Sequence, residues 1–298
     1  MTNRLLVFGD VINDIVVVPS APIRRNTDTP SSISQQPGGS ASNVACWLGV
    51  LGSPVDFVGR VGSADLEAQT RAFATFWVNA QLTADTDLPT GSIVVLVEGD
   101  DRTMLTERGA NKAFSFDQIT DALLASASIM HFTGYSVFHS GAIESLEQLL
   151  ARARNAGVRV SVDPASVGDL SDFGVGRFIE ITKGATYIFP NLDEGRILTG
   201  LSEPLEISAE LSKNYGCAVL TMGPDGVVVC SKGSNPIHFA AIPTVGVDPT
   251  GAGDAFVAGF LDSINRGTDL EPAVLAGQQT ASRAVQKLGA RPPLQHNV

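Results

Sequence analysis

The sequence predicts an α/β fold: a mostly parallel sheet with helices on both faces. Two observations carry that expectation. Short apolar runs of strand character alternate with segments of helical period along most of the 298 residues, and a hydrophobic content of 44% is enough to fill a large core. A third observation adds a smaller β element, because two extended segments interrupt the alternation.

Taken in order, the first strand is Leu5-Leu6-Val7-Phe8, which ends at Gly9-Asp10. From Ile15 to Gln36 the chain is extended, with Pro19, Pro22 and Pro30 and no helical period. Gly38-Gly39 then opens a small-residue helix expected over 40–51, carrying Ala45, Leu48 and Leu51. The next strand is 55–58 and the next helix 65–80. From Gly91 to Thr106, two β-rich stretches flank Glu98-Gly99-Asp100-Asp101, which reads as a hairpin turn. Helices at 117–125, 141–156, 192–199 and 204–215 then alternate with strands at 129–132, 158–162, 187–189 and 218–221. A turn over 221–226 leads into Val227-Val228-Val229, and 238–243 reads as a short strand. Val257, Phe260, Leu261 and Ile264 then repeat at the spacing of an amphipathic helix.

Composition excludes some functions. A formal charge of -11 and a pI near 4.7 argue against a sequence-independent nucleic-acid binder, which needs a basic face to displace counterions. Cys46, Cys217 and Cys230 are an odd number without metal-type spacing, as expected of buried thiols in a reducing compartment. Asp10, Asn13 and Asp14 interrupt the apolar runs at the amino terminus, unlike a signal peptide, and no run approaches the ~18 apolar residues that span a bilayer. The expectation is a cytoplasmic protein with no membrane partner.

The chemistry concentrates in Asp248-Pro249-Thr250-Gly251-Ala252-Gly253-Asp254-Ala255-Phe256. Here a glycine loop enters a helix, where the first amides lack intrahelical partners and the helix dipole favours an anion. Asp254, just inside the first turn, is held ionised by the same dipole. Phosphoryl transfer asks for this pairing of charge stabilisation with a base near the nucleophile. Gly-Lys-Ser and Gly-Lys-Thr are absent, so a Walker-type phosphate loop is excluded. Only Gly9 follows the first strand, which sets aside a dinucleotide-binding turn.

These nine residues resemble the signature of the ribokinase-like, or PfkB, carbohydrate kinases, with Pro249 where Ser or Thr is more usual. Four more motifs in the expected order extend the resemblance over nearly the whole chain: Gly9 to Asp14, Gly38 to Ala45, Asn191-x-x-Glu194 and Thr221-x-Gly223-x-x-Gly226. The resemblance implies one three-layer α/β/α domain over 1–298, with a discontinuous β lid from about 15–37 and 88–109 that pairs in a homodimer. It implies that Asp254 takes the proton from the attacking hydroxyl while the amides of Gly251, Ala252 and Gly253 hold the transferring phosphoryl group. Asp14, Gly38, Gly39 and Asn43 would grip the substrate, and Ser40 stands where ribokinases tend to carry Lys. Asn191, Thr221, Gly223 and Gly226 would lie beside ATP, with Glu194 organising Mg²⁺ through water. Asp248 and Thr250, with backbone oxygens of the 284–290 segment, would frame a candidate K⁺ site.

The implied activity is ATP-dependent phosphorylation of a primary hydroxyl on a small sugar. A nucleoside kinase, pseudouridine included, is the alternative; a non-catalytic sugar- or nucleotide-binding regulator is the alternative from another class. Asp163-Pro164-Ala165-Ser166 departs from the Asp-x-Asn-x-Arg pattern resembling fructokinases and ketodeoxygluconate kinases, which counts against those substrates. Arg108 is expected to be a surface or structural residue rather than a substrate contact, and Asp10 a solvated turn residue. His131, His139, His238 and His296 show no metal spacing and are expected to be structural or exposed.

Overall fold

The computed structural model, which describes residues 4–98, 101–139 and 142–293, begins with β1 (Arg4–Phe8), β2 (Ile12–Pro19), β3 (Ser31–Gly38) and α1 (Ser40–Val50). It continues through β4 (Val55–Gly62), α2 (Leu66–Ala74), β5 (Val78–Asp85), β6 (Thr90–Glu98) and β7 (Asp101–Gly109). Next come α3 (Asp121–Ser126), β8 (Ala127–Thr133), α4 (Tyr135–Phe138), α5 (Ile143–Asn155) and β9 (Arg159–Asp163). After α6 (Val167–Phe173) and α7 (Val175–Thr182) follow β10 (Tyr187–Ile188), α8 (Leu192–Thr199), α9 (Pro204–Ser212) and β11 (Cys217–Thr221). The last elements are β12 (Val227–Ser231), β13 (Ile237–Phe239), α10 (Ala252–Asn265) and α11 (Leu270–Val285).

Nine strands form the large sheet in the order β13-β12-β11-β10-β9-β8-β1-β4-β5. All neighbours from β11 to β5 are parallel, and β12 and β13 add an antiparallel edge. Side chains alternate across a strand, so β1 serves two cores: Leu5 and Val7 face one layer, Leu6 and Phe8 the other. The first layer holds Val44 and Leu48 of α1, Phe256 and Phe260 of α10 and Val274 of α11. The second holds Leu146 and Leu149 of α5, Phe178 of α7, Leu198 of α8 and Leu211 of α9. Strand order reverses around β1, which leaves a crevice at the carboxyl ends of β1 and β8. No helix among the described residues is long and apolar enough to cross a membrane.

The two segments that broke the alternation form a separate sheet in the order β3-β2-β6-β7. Its β2 pairs antiparallel with β3 and parallel with β6, placing Asp14 opposite Gln36 and Ile93. Gly99 and Asp100 of the expected hairpin turn, and His296, lie outside the described residues.

Three expectations fail for local reasons. The helix over 65–80 stops at Ala74; Trp77, at φ 58°, reverses the chain into β5, an edge strand whose Asn79, Gln81 and Thr83 carry no strand-like apolar pattern. The strand over 238–243 is only β13. Helix α11 went unread because its buried face is Ala273, Val274, Gly277, Thr280 and Ala284, mostly small residues that let it lie close to α10.

Candidate active site

Two helix starts meet in the crevice. Asp10, at the carboxyl end of β1, accepts hydrogen bonds from the amides of Ser40 (3.1 Å) and Ala41 (3.2 Å), satisfying the first turn of α1 from a distant strand. Asp10 is only 5% exposed, so it is a buried cap rather than a solvated turn residue. One turn apart on α1, Ser40 Oγ donates to Asp254 Oδ1 at 2.7 Å and Asn43 Nδ2 to Asp254 Oδ2 at 2.8 Å. Asp254 lies in the first turn of α10, behind Gly251 at φ 75°. The two helices thus present a carboxylate and a set of amides to the same space.

That space is a cavity of about 250 Å³, whose lining includes Asp163, Asn191, Glu194, Thr221 and Gly251 to Asp254. Burial raises the Asp254 pKa to about 6; the Ser40 and Asn43 donors pull it down, while the charges of Asp10 and Asp14 push it up. Asp14 is likewise raised to about 6 by burial and by Asp10, against the opposing charge of Arg291. Burial carries Glu194 to about 7, and Asp163 is raised well above the carboxylate range by burial and the nearby Glu194 and Asp254. A base with a pKa near 6 is ionised at neutral pH yet basic enough to accept a proton in a transition state.

Of the residues singled out in the sequence, Gly251 to Asp254, Asn191, Glu194 and Thr221 line the cavity, whereas Asp14, Gly38, Gly39 and Asn43 do not; Asn43 is joined to it through its hydrogen bond to Asp254. The amides of Gly251 and Gly253 have no acceptor among the described residues, but the Ala252 amide donates to the Pro249 carbonyl at 3.1 Å. The turn before α10 closes on itself, so the cradle narrows to the two glycines. Asn43 spends its amide nitrogen on Asp254 and leaves only Oδ1, buried and unpartnered, to meet a substrate. An added Cβ on Gly38 would stand 2.1 Å from Asp14 Oδ2, so the Asp14 carboxyl lies directly against the backbone preceding Gly39, the N-cap of α1.

Asn191 and Glu194 form a reciprocal capping box at the start of α8: Asn191 Oδ1 accepts from the Glu194 amide and Glu194 Oε2 from the Asn191 amide, each at 2.9 Å. Thr221 lines the cavity, whereas Gly223 and Gly226 do not. Gly226 is held against β13, where an added Cβ would meet the Phe239 carbonyl at 2.1 Å.

Sequence reasoning missed Asp10, Ser40, Asp163 and Arg291. Arg291 is 5% exposed, with Nη2 donating to the Gly38 carbonyl at 3.3 Å and its Nε and Nη1 unpartnered. Arg108 is also buried rather than on the surface; its guanidinium lies 4.3 Å from the Tyr135 ring centre and reaches Asp169 at 3.4 Å.

At the candidate K⁺ site a lysine ammonium stands among the oxygens. The carbonyls of Gly289 and Arg291 accept from the Lys287 ammonium, and Asp248 accepts from the Thr250 amide and hydroxyl and from the Gly289 amide.

The Ser40 contact yields a test. Ser40→Ala removes a donor that favours the ionised carboxylate, so with Asp254 as the base the acidic limb of the kcat/KM profile is expected near pH 6 in wild type and at higher pH in the variant. A limb that stays in place or moves down would separate Asp254 from the titration.

A parallel α/β core that brings a carboxylate and free helix-end amides into one crevice is suited to phosphoryl transfer to a small molecule. The pattern of pfkB family carbohydrate kinases matches residues 2–297, and the chain belongs to that family. The bifunctional protein HldE of Shewanella baltica is 31% identical over 302 residues, covering 96% of this chain. The chain spans 60% of the length of that relative. Arabidopsis thaliana ribokinase, solved with ribose and ATP, matches with a TM-score of 0.81 and 26% identity over 98% of this chain and 96% of that one. Adenosine kinase from Sinorhizobium meliloti shares the fold at a TM-score of 0.88 and 22% identity, again over 98% and 96%.

Proposed function

We propose that the protein transfers the γ-phosphate of ATP to a primary hydroxyl of a small sugar, with Asp254 as the general base. The observation that carries this reading is the Asp254 carboxylate, raised to about 6, beside the unengaged Gly251 and Gly253 amides in one cavity. The acceptor hydroxyl hydrogen-bonds Asp254 and attacks the γ-phosphorus. The new O–P bond forms as the bond to the β-phosphate oxygen breaks, the proton passes to Asp254, and ADP leaves with the electron pair. Charge on the transferring group falls on the two glycine amides and the positive end of α10. Asp14 and the free Asn43 Oδ1 accept hydrogen bonds from other sugar hydroxyls, which supports a polyol as the ligand.

Asn191, Glu194, Asp163 and Thr221 line the cavity, and ATP would lie against them. Their oxygens suit Mg²⁺, which keeps several waters and takes one or two carboxylates along with substrate phosphates. Bound there, Mg²⁺ would neutralise phosphate charge. Among the described residues no three His, Cys, Asp or Glu side chains are grouped to hold a metal alone, so phosphates and water would complete its shell.

The small sheet serves as the lid of a single domain over 1–298, and the exposed Ile33, Met104 and Leu105 on it favour a lid-to-lid homodimer, which light scattering tests. ADP release over a panel of neutral sugars and nucleosides tests the acceptor. A sugar is expected to be turned over best; a nucleoside as the best acceptor would shift the assignment, and saturable binding with no turnover would indicate a regulator.

A further inference from the structure

Lys287 follows the carboxyl end of α11, and its Nζ turns back into the loop it begins. It donates to the Gly289 carbonyl at 3.1 Å and to the Arg291 carbonyl. It stands 6.0 Å from the centre of the Trp47 ring, whose Nε1 donates to the Ala290 carbonyl at 2.9 Å. Asp248 binds the same loop, accepting from the Gly289 amide at 2.9 Å, and its own amide donates to the Val285 carbonyl at 3.0 Å. Burial lowers the Lys287 pKa and the Asp248 charge opposes that shift.

The loop supports the phosphate cradle directly. Ala290 packs so tightly on Gly251 that an added Cβ would lie 2.4 Å from Ala290 Cβ. Whatever fixes the carbonyls on either side of Ala290 therefore fixes the backbone of Gly251. An ammonium among carbonyl oxygens, beside a carboxylate, occupies the surroundings that a monovalent cation would require.

We propose that Lys287 is a positioning residue that supplies this cation from within the chain, so that the cradle is formed and the kinase works without K⁺. The proposal deepens the phosphoryl-transfer reading above and rests on it for its effect on rate, though its effect on the loop is measurable without turnover.

Two readouts test it, each comparing KCl with tetramethylammonium chloride at equal ionic strength. Wild-type kcat is expected to be the same in both salts. Lys287→Met should lose about tenfold or more of kcat in tetramethylammonium, the scale of losing charge-assisted hydrogen bonds, and recover most of it in KCl. Trp47 emission reads the loop independently, with the exposed Trp77 as a constant background. It should change saturably with KCl in Lys287→Met and remain unchanged in wild type.

Cation rescue distinguishes positioning from a merely structural role, which K⁺ would not restore. If Lys287→Met fails to fold, Lys287→Gln and the wild-type salt comparison decide. Wild-type activation by K⁺, or folded variants that ignore K⁺ in both readouts, overturns the proposal. A K⁺-dependent emission change without turnover by any form would retain the loop assignment and reject the kinase reading.

Discussion

Asp254→Asn is expected to lower kcat by about 10²–10⁴-fold, the usual contribution of general-base catalysis, while leaving the fold intact. Asn keeps the shape and an acceptor for Ser40. Asn43, whose Oδ1 is unpartnered, can turn its amide to accept from the new nitrogen.

The same substitution changes stability with a definite sign. The folded carboxyl titrates at about 6 against an ordinary value of 3.8, so below 3.8 both states hold the proton and nothing is lost. Between 3.8 and about 6 only the folded state keeps it, and stability falls as pH rises; above 6 the full cost of the buried charge is present, on the order of 3 kcal/mol. Asp254→Asn removes that cost. Denaturant unfolding should therefore find the variant more stable than wild type at pH 8 and nearly equal to it near pH 4. Undiminished kcat, or a variant less stable than wild type at pH 8, would contradict the role given to this carboxyl.

Gly251→Ala is expected to lower stability by roughly 2–4 kcal/mol and to abolish most activity, combining left-handed backbone strain with overpacking. Gly251 sits at φ 75°, and the added Cβ would lie 2.4 Å from Ala290 Cβ and 2.7 Å from its Cα. Neither neighbour is the end of a flexible side chain, so the backbone that presents the cradle must move. Gly253→Ala is the paired control: an added Cβ meets nothing within 4 Å, and wild-type stability is expected. Thermal melts of the two variants give the comparison, and equal Tm values would mean that the loop after α11 does not brace Gly251.

The legible parts of this site are those that local sequence encodes. A glycine loop running into an apolar-periodic helix marks Asp254 and its amides, and Asn191 with Glu194 announces a helix start that closes as a capping box. What was not legible depends on distant pairing. Ser40 and Asp254 are 214 residues apart, and no local pattern marks Ser40 as a partner of the base. Asp10 looked like a turn residue because its burial comes from α1 docking onto the end of β1.

The fold follows the same division. Strands with a continuous apolar run were visible, whereas β5, alternating polar residues at an edge, and α11, packed through small residues, were not. The Lys287 ammonium among the carbonyls of Gly289 and Arg291 was not legible either, because it depends on how the loop after α11 folds back.

The most direct test of the proposed phosphoryl transfer is to follow the γ-phosphate of ATP in the wild-type protein and in Asp254→Asn, with Mg²⁺ and sugars present, and identify the phosphorylated product by mass spectrometry. Wild type is expected to form a sugar phosphate ester at a primary hydroxyl, together with one ADP per ester, whereas Asp254→Asn binds ATP but forms the ester at least about 10²-fold more slowly. Ester formed at the wild-type rate by Asp254→Asn, or ATP bound by wild type with no phosphate passed to any hydroxyl, would contradict that mechanism.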